Sequence, residues 1–377
     1  MLASVIGPEA VARRIMEKVS VATLAEDRKA GLLELREKAE AEPVAVGQIA
    51  INELCRQLPG FREDVEMLRA ALETMQVCLS PEASVVGVDV AANAGAVNSS
   101  LFTQENISVI LELLEEKAWS TRLSILKIIG CIQASKPAPL QAAILQSPQG
   151  LARLMDVLAE ENEIVRNEVL LVLVNLTVGN QELNKIMAFE GSFDTLLGVI
   201  RDEDEGSVIT ADCSAIIANL LKGNASNATF FREMGCVSNH IVPLLQKGLQ
   251  QEADGGGSDL WQHMLQIVGH LLAASGSDTQ AAQTHLGKAG VVNIVAEGAS
   301  RGSVSPASKA AGLRLLALLV NRHTPNRLQL SQLRSQQTGQ STLNLLMRLA
   351  SGDVPTDPTH QVRTRVKFSM KTRNNAY

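Results

Sequence analysis

The sequence predicts an all-α protein: a right-handed α-solenoid of armadillo- or HEAT-like helical repeats. Three observations carry that expectation: a recurring helical phrase, a glycine that recurs in step with it, and an aliphatic, aromatic-poor composition. The phrase is clearest in Val165-Arg166-Asn167-Glu168-Val169-Leu170-Leu171-Val172-Leu173-Val174-Asn175-Leu176. Taking Arg166 as reference, alignment by apolar pattern places the same position at Arg28, Arg69, Arg122, Thr210, Trp261 and Lys309. The steps are 41, 53, 44, 44, 51 and 48 residues. A period in this range marks stacked helical repeats that bury a continuous core only by packing on their neighbours.

The elements follow in order. Val11 to Val19 carries Arg13, Arg14, Glu17 and Lys18 without an apolar stretch, so it reads as the opening helix rather than a secretory signal. Glu9 and Glu17 disfavour a mitochondrial presequence. The phrases around Arg28 and Arg69 are followed by 80–100, rich in Ala, Gly, Val, Asn and Ser; an inserted loop there explains the 53-residue step. From Gly150 a second landmark appears. A glycine precedes an amphipathic run at Gly150, Gly191, Gly235 and Gly290, and more loosely at Gly339. After Gly191 come Phe193, Leu196, Leu197 and Ile200, one helical stripe at spacings of three and four. Glycine in the preceding turn can take positive φ without steric cost. Each repeat therefore reads as short helix, glycine turn, helix, loop and long helix. Extra residues fall in polar segments, Arg201 to Gly206 and Gln251 to Ser258, where repeat insertions are expected as loops. The helical pattern stops near Ser351. The expected organisation is one array over 1–350 and an irregular, disordered tail over 351–377, with Arg363, Arg365, Lys367, Lys371 and Arg373 in its basic part.

Composition narrows the functional classes. The 377 residues are 46% hydrophobic but only 3% aromatic, so the core is built from Leu, Val, Ile and Ala. A formal charge of −6 and few rings lack the basic footprint and stacking platform of a nucleic-acid binder. No apolar run approaches the roughly 18–20 residues that span a bilayer. Cys55, Cys78, Cys131, Cys213 and Cys236 are scattered without a CxxC pair, which points to a reducing compartment, the cytosol. Cys78, Cys131 and Cys213 lie inside helical phrases, as small apolar residues.

No catalytic, cofactor-binding or metal constellation stands out: there is no GxxxxGK[ST], GxSxG or HExxH. His263 and His270 are seven apart, but His270 sits in an apolar phrase and reads as packed or hydrogen-bonded. The acidic run Asp202 to Glu205 lacks EF-hand spacing and reads as a solvated loop. The candidate partner-binding residues are Asn175 and Asn219, which share one repeat position. In peptide-binding armadillo arrays, asparagine there holds a peptide backbone, with Trp four residues earlier; this chain has Leu171 and Ala215 instead, and Cys78, Cys131, His270 and Leu318 at the asparagine position. The competing assignment is a local hydrogen bond that a buried amide needs in any case. The basic tail is either a solvated end or a dock for an anionic membrane or acidic segment.

Several segments resemble the head of the general vesicular transport factor family, long coiled-coil tethers of the endoplasmic reticulum to Golgi route. They are Pro139 to Gly150 with Ile144-Leu145-Gln146-Ser147-Pro148, Arg153 to Leu158, Val165 to Leu171, Ile186-Met187-Ala188-Phe189-Glu190, Glu112 to Glu116, Arg69 to Thr74 and Leu24 to Ala30. They stand in the family's order from about residue 10 to about 350. The resemblance implies a non-enzymatic, cytoplasmic protein, peripheral on Golgi and ER–Golgi membranes, that captures transport vesicles as a protein–protein adaptor. It also implies parallel homodimers and partners among Rab-type small GTPases, golgins, SNAREs and coat components. The chain departs from the family plan: heptads do not follow Leu349, and the end is basic rather than acidic. A fragment, a truncated gene model and a short paralogue all fit that departure. Two other functions fit the repeats alone: a peptide-binding adaptor of nuclear-import type, and a nucleotide-exchange regulator of a chaperone.

Overall fold

The structure, a computed structural model, describes residues 7–79, 103–147, 149–204, 206–255, 259–335 and 338–351. The expected loop 80–100 and the tail from 352 onward lie outside the described residues. Described secondary structure is helical apart from one antiparallel bridge between Arg334 and Ser341. The fold class is the armadillo-type α-solenoid expected. The chain divides into two compact units, one ending at Leu183 and the other beginning at Asn184.

The first unit contains α1 (Pro8–Val21), α2 (Ala25–Ala41), α3 (Pro43–Phe61), α4 (Val65–Leu79), α5 (Gln104–Glu112), α6 (Trp119–Ser135), α7 (Pro137–Gln146), α8 (Gly150–Asp156) and α9 (Glu163–Leu176). The reference positions Arg28, Arg69, Arg122 and Arg166 fall on α2, α4, α6 and α9, and each of these long helices packs on the next. Local chemistry fixes their starts. Thr103 caps α5 by accepting from the Asn106 N–H, and Asn162 caps α9 by accepting from Ile164 and Val165. The corners from α2 to α3 and from α6 to α7 turn on one residue, Glu42 or Lys136. Pro43 or Pro137 follows at the first helical position, where a missing N–H costs nothing.

The helix α10 (Gln181–Phe189) carries the chain into the second unit. There follow α11 (Ser192–Asp202), α12 (Val208–Leu221), α13 (Ala225–Glu233), α14 (Val242–Ala253), α15 (Asp259–Ala274), α16 (Thr279–Lys288), α17 (Val291–Ser300), α18 (Pro306–Val320), α19 (Thr324–Gln332) and α20 (Thr342–Ser351). Thr210, Trp261 and Lys309 lie on α12, α15 and α18. The core is aliphatic; Trp261, Phe61, Phe193 and Phe231 are its few fully buried rings. A π turn, Val237–Ile241, leads into α14, where Pro243 has no N–H for a tighter helical bond.

The three-helix repeat holds from α7 onward. Before residue 80 the helices come as pairs (α1 with α2, α3 with α4), so the layout expected of every repeat is corrected there: no glycine turn divides the described residues of these repeats. Gly191 and Gly290 have φ of 86° and 89°, as the turn requires, with open space where a Cβ would stand. At the first landmark the geometry differs. Gln149 takes the left-handed conformation, φ 58°, and Gly150 opens α8. A Cβ on Gly150 would stand 2.9 Å from Leu111 Cδ1, so this glycine serves close packing rather than the turn.

Candidate functional site

Asn175 lies on α9 in the first unit, exposed, beside a surface groove of about 530 Å³. Ala134, Ala138, Glu168, Leu171 and Val178 line the same groove. Leu171 and Val178 are 51% and 59% exposed, so its rim is apolar and open. The Asn175 amide does not reach across it. Its Nδ2 donates to the Leu171 carbonyl one turn earlier, at 2.9 Å. Buried Gln133 and Gln141 form the polar floor. Gln141 Nε2 donates to the carbonyls of Leu176 (2.8 Å) and Val178 (3.1 Å), satisfying the open end of α9. The acidic group here is Glu168; with burial as the larger cause, it raises the thiol pKa of neighbouring Cys131. Such a groove can accept an apolar side chain and pair a cation at one end.

Asn219 lies on α12 in the second unit, half-buried. Its carbonyl accepts from Asn184 Nδ2 at 3.1 Å. That contact belongs to a series of buried amides that repeat reasoning on the long helices missed. Asn227 Nδ2 donates to the carbonyls of Leu220 (2.8 Å) and Asn184 (3.0 Å). Gln283 Nε2 donates to Leu318 (2.7 Å) and Asn321 (3.0 Å). Asn326 Nδ2 donates to Leu319 (2.9 Å) and Gln283 (3.0 Å). Gln141, Asn184, Asn227, Gln283 and Asn326 all sit on the short first helix of a repeat, at steps of 43, 43, 56 and 43 residues. Their 43-residue recurrence, broken once by the 56-residue step from Asn227 to Gln283, was visible in the sequence. Their target, the carbonyls that end a long helix, was not.

The remaining candidates carry less chemistry. His263 and His270 are half-buried, and burial lowers the pKa of both, so neutral imidazole is favoured. Among the described residues no three His, Cys, Asp or Glu side chains converge as a metal site. The acidic run closes α11: Lys247 Nζ donates to the carbonyls of Arg201 (3.1 Å) and Glu203 (3.3 Å). Cys78 and Cys213 are buried as expected, whereas Cys131 is only partly so. No described helix is long and apolar enough to cross a membrane.

Comparison with known proteins places these repeats. No family model matches the chain. General vesicular transport factor p115 of Homo sapiens is 33% identical over 244 residues, covering 63% of this chain and 25% of that protein. Golgin candidate 6 of Arabidopsis thaliana is 35% identical over 208 residues, 53% of this chain and 23% of that protein. Intracellular protein transport protein uso1 of Schizosaccharomyces pombe is 28% identical over 239 residues, 62% of this chain and 22% of that protein. The chain thus spans about a quarter of the length of the curated relatives it matches. A crystal structure of Uso1 superposes with a TM-score of 0.79 at 18% identity, covering 99% of this chain and 63% of that one. At that identity the superposition speaks for the fold alone. Sequence identity over more than half of the chain bears out the resemblance read from the ordered segments: the chain is similar to the general vesicular transport factors.

Proposed function

We propose that the chain acts as the head of a vesicle-tethering factor in ER-to-Golgi and intra-Golgi transport. The observation that carries this is 28–35% identity to plant, animal and fission-yeast proteins, two of them named for transport and one as a golgin candidate. It works as an adaptor and makes or breaks no bond. Its partners are a Rab-type GTPase, a golgin, and SNARE or coat components, met on the cytosolic face of Golgi and ER–Golgi membranes, where it pairs as a homodimer. Residues 1–350 act as one head and 351–377 as a basic tail. Within the head, the apolar groove beside Asn175 and the equivalent position at Asn219 contribute partner contacts.

Proximity labelling with the full chain in cells tests the transport role. Golgi, coat and Rab proteins are the expected neighbours; a list without them sinks it. An Asn175→Ala, Asn219→Ala double variant that keeps the full labelling pattern would remove those two residues from the proposal and leave the transport role standing.

A further inference from the structure

One edge of the first unit carries an exposed apolar side chain in every repeat. Leu24 precedes α2, Val65 opens α4, Trp119 opens α6 and Ile164 stands second in α9. They are 64%, 57%, 47% and 59% exposed. Their separations of 41, 54 and 45 residues stay within one residue of the repeat steps, so all four lie at the starts of consecutive long helices, four, four, three and two residues before the reference positions. Those helices pack side by side in that order. A scatter of single exposed apolar residues needs no explanation, but one at the start of each of four consecutive long helices does. The contrast between the two tryptophans sharpens it: Trp261 is fully buried, whereas Trp119 stands in solvent.

The charges around the row are uneven. Arg62 Nε holds Glu116 at 2.6 Å, Arg153 Nε holds Glu115 at 2.5 Å, Arg122 pairs with Glu160 and Lys29 with Glu66. These pairs cross from one repeat to the next and occupy most nearby cations. Exposed Glu26, Asp27, Glu63, Glu161 and Glu163 remain along the edge, against exposed Lys117. The surface is therefore apolar at its centre and acidic at its margins.

Spacing selects the shape of the partner. Packed helices stand about 8–10 Å apart, so the row presents one apolar contact roughly every 10 Å. An α-helix rises 1.5 Å per residue, so two turns, seven residues, advance about 10.5 Å. We propose that this edge docks an amphipathic α-helix of a partner protein, with apolar residues every seven positions and basic residues flanking them. Each apolar residue meets one repeat, with Trp119 as the central anchor, the residue type that dominates binding hot spots. The proposal deepens the adaptor reading and rests on it for the existence of a protein partner.

The test uses a synthetic helix of about 28 residues, four heptads long, with leucine at every seventh position and Lys or Arg beside it. It is titrated into the full chain while tryptophan emission is recorded. Because Trp261 is buried, a blue shift reports on Trp119. A saturable shift is expected, lost with a peptide of equal composition and scrambled spacing, and weakened by salt. Val65→Ser with Ile164→Ser weakens binding at least about tenfold, since both side chains sit at the contact. Leu328→Ser, an exposed residue of the second unit, leaves it unchanged. Both variants alter exposed positions, and far-UV circular dichroism checks their folding. Equal binding of the scrambled peptide, unaltered binding by the Val65, Ile164 variant, or no shift at all overturns the proposal. Any of these leaves the transport role untouched, because that role is read from neighbours in cells.

Discussion

Replacing Gly298 by alanine should destabilise the second unit, although alanine is the better helix former. Gly298 lies in α17, and a Cβ there would stand 2.5 Å from Trp261 Cζ2, 2.8 Å from Cη2 and 3.1 Å from Leu249 Cδ1. Carbon atoms prefer about 3.5–4.0 Å, so the indole must retreat by about 1 Å. It has little room to do so. On α14, a Cβ at Gly248 would stand 2.7 Å from the Trp261 amide nitrogen, so the tryptophan backbone is already pressed against that helix. Overpacking of this kind costs about 1–3 kcal/mol. The gain from alanine over glycine in a helix is about 0.8–1.0 kcal/mol. The net loss is then up to about 2 kcal/mol, or several degrees in Tm at about 2–4 °C per kcal/mol for a unit of this size. Gly198 in α11 is the control, with open space where its Cβ would be. Gly198→Ala should stabilise by about 0.5–1 kcal/mol. Thermal and urea unfolding of the full chain, followed by circular dichroism and by Trp261 emission in a Trp119→Phe background, compares the two. If Gly298→Ala proves as stable as Gly198→Ala, the close seat for Trp261 is wrong.

Three further outcomes are expected. Asn326→Leu removes two buried hydrogen bonds and strands the carbonyls of Leu319 and Gln283; a loss of about 2–4 kcal/mol in urea unfolding is expected, and a loss under about 0.5 kcal/mol would show that solvent replaces the amide. Burial pushes the Cys55 and Cys78 thiols up to about 12 from a model-peptide value of 9.0. The unfolded chain therefore releases these protons first. Their contribution is complete below pH 9 and is lost as pH rises towards 12, by about 1.4 kcal/mol per unit for each thiol; a Cys55→Ala, Cys78→Ala variant should show a shallower decline over that window. Arg122→Met should cost about 1–2 kcal/mol, because Glu160, 18% exposed, loses its partner between repeats; unchanged stability would place this pair with ordinary surface ion pairs.

The long helices were legible because each must bury one face on its neighbours, and that need writes the same apolar stripe at Arg28, Arg69, Arg122, Arg166, Thr210, Trp261 and Lys309. The glycine turns were legible where backbone conformation demanded them, at Gly191 and Gly290. Gly150 misled because close packing against Leu111 selects the same residue as a left-handed turn does. The helical pairs before residue 80 were hidden for a different reason: α3 runs unbroken from Pro43 to Phe61, with no glycine turn to mark a division. The candidate site was only partly legible. Asn175 and Asn219 share a register, but a sequence position does not reveal that the Asn175 amide folds back on Leu171. The row Leu24, Val65, Trp119 and Ile164, at the starts of consecutive long helices, was present in the sequence as well. Apolar residues at helix starts look like core until their exposure is known.

The buried amides of the second unit have a thermodynamic consequence. Asn227 satisfies carbonyls of residues 184 and 220, and Asn326 those of residues 283 and 319. Each amide is thus shared property of two adjacent repeats, and neither repeat can melt without leaving its neighbour's carbonyls in a dry interface. In a linear array, stability divides into a term for each repeat and a coupling term for each junction. Here part of that coupling is polar and directional, so it penalises slippage as well as separation. An end repeat would then fray as a whole, together with its junction, and amide hydrogen exchange would fall into repeat-sized steps of 43 to 56 residues rather than a smooth gradient.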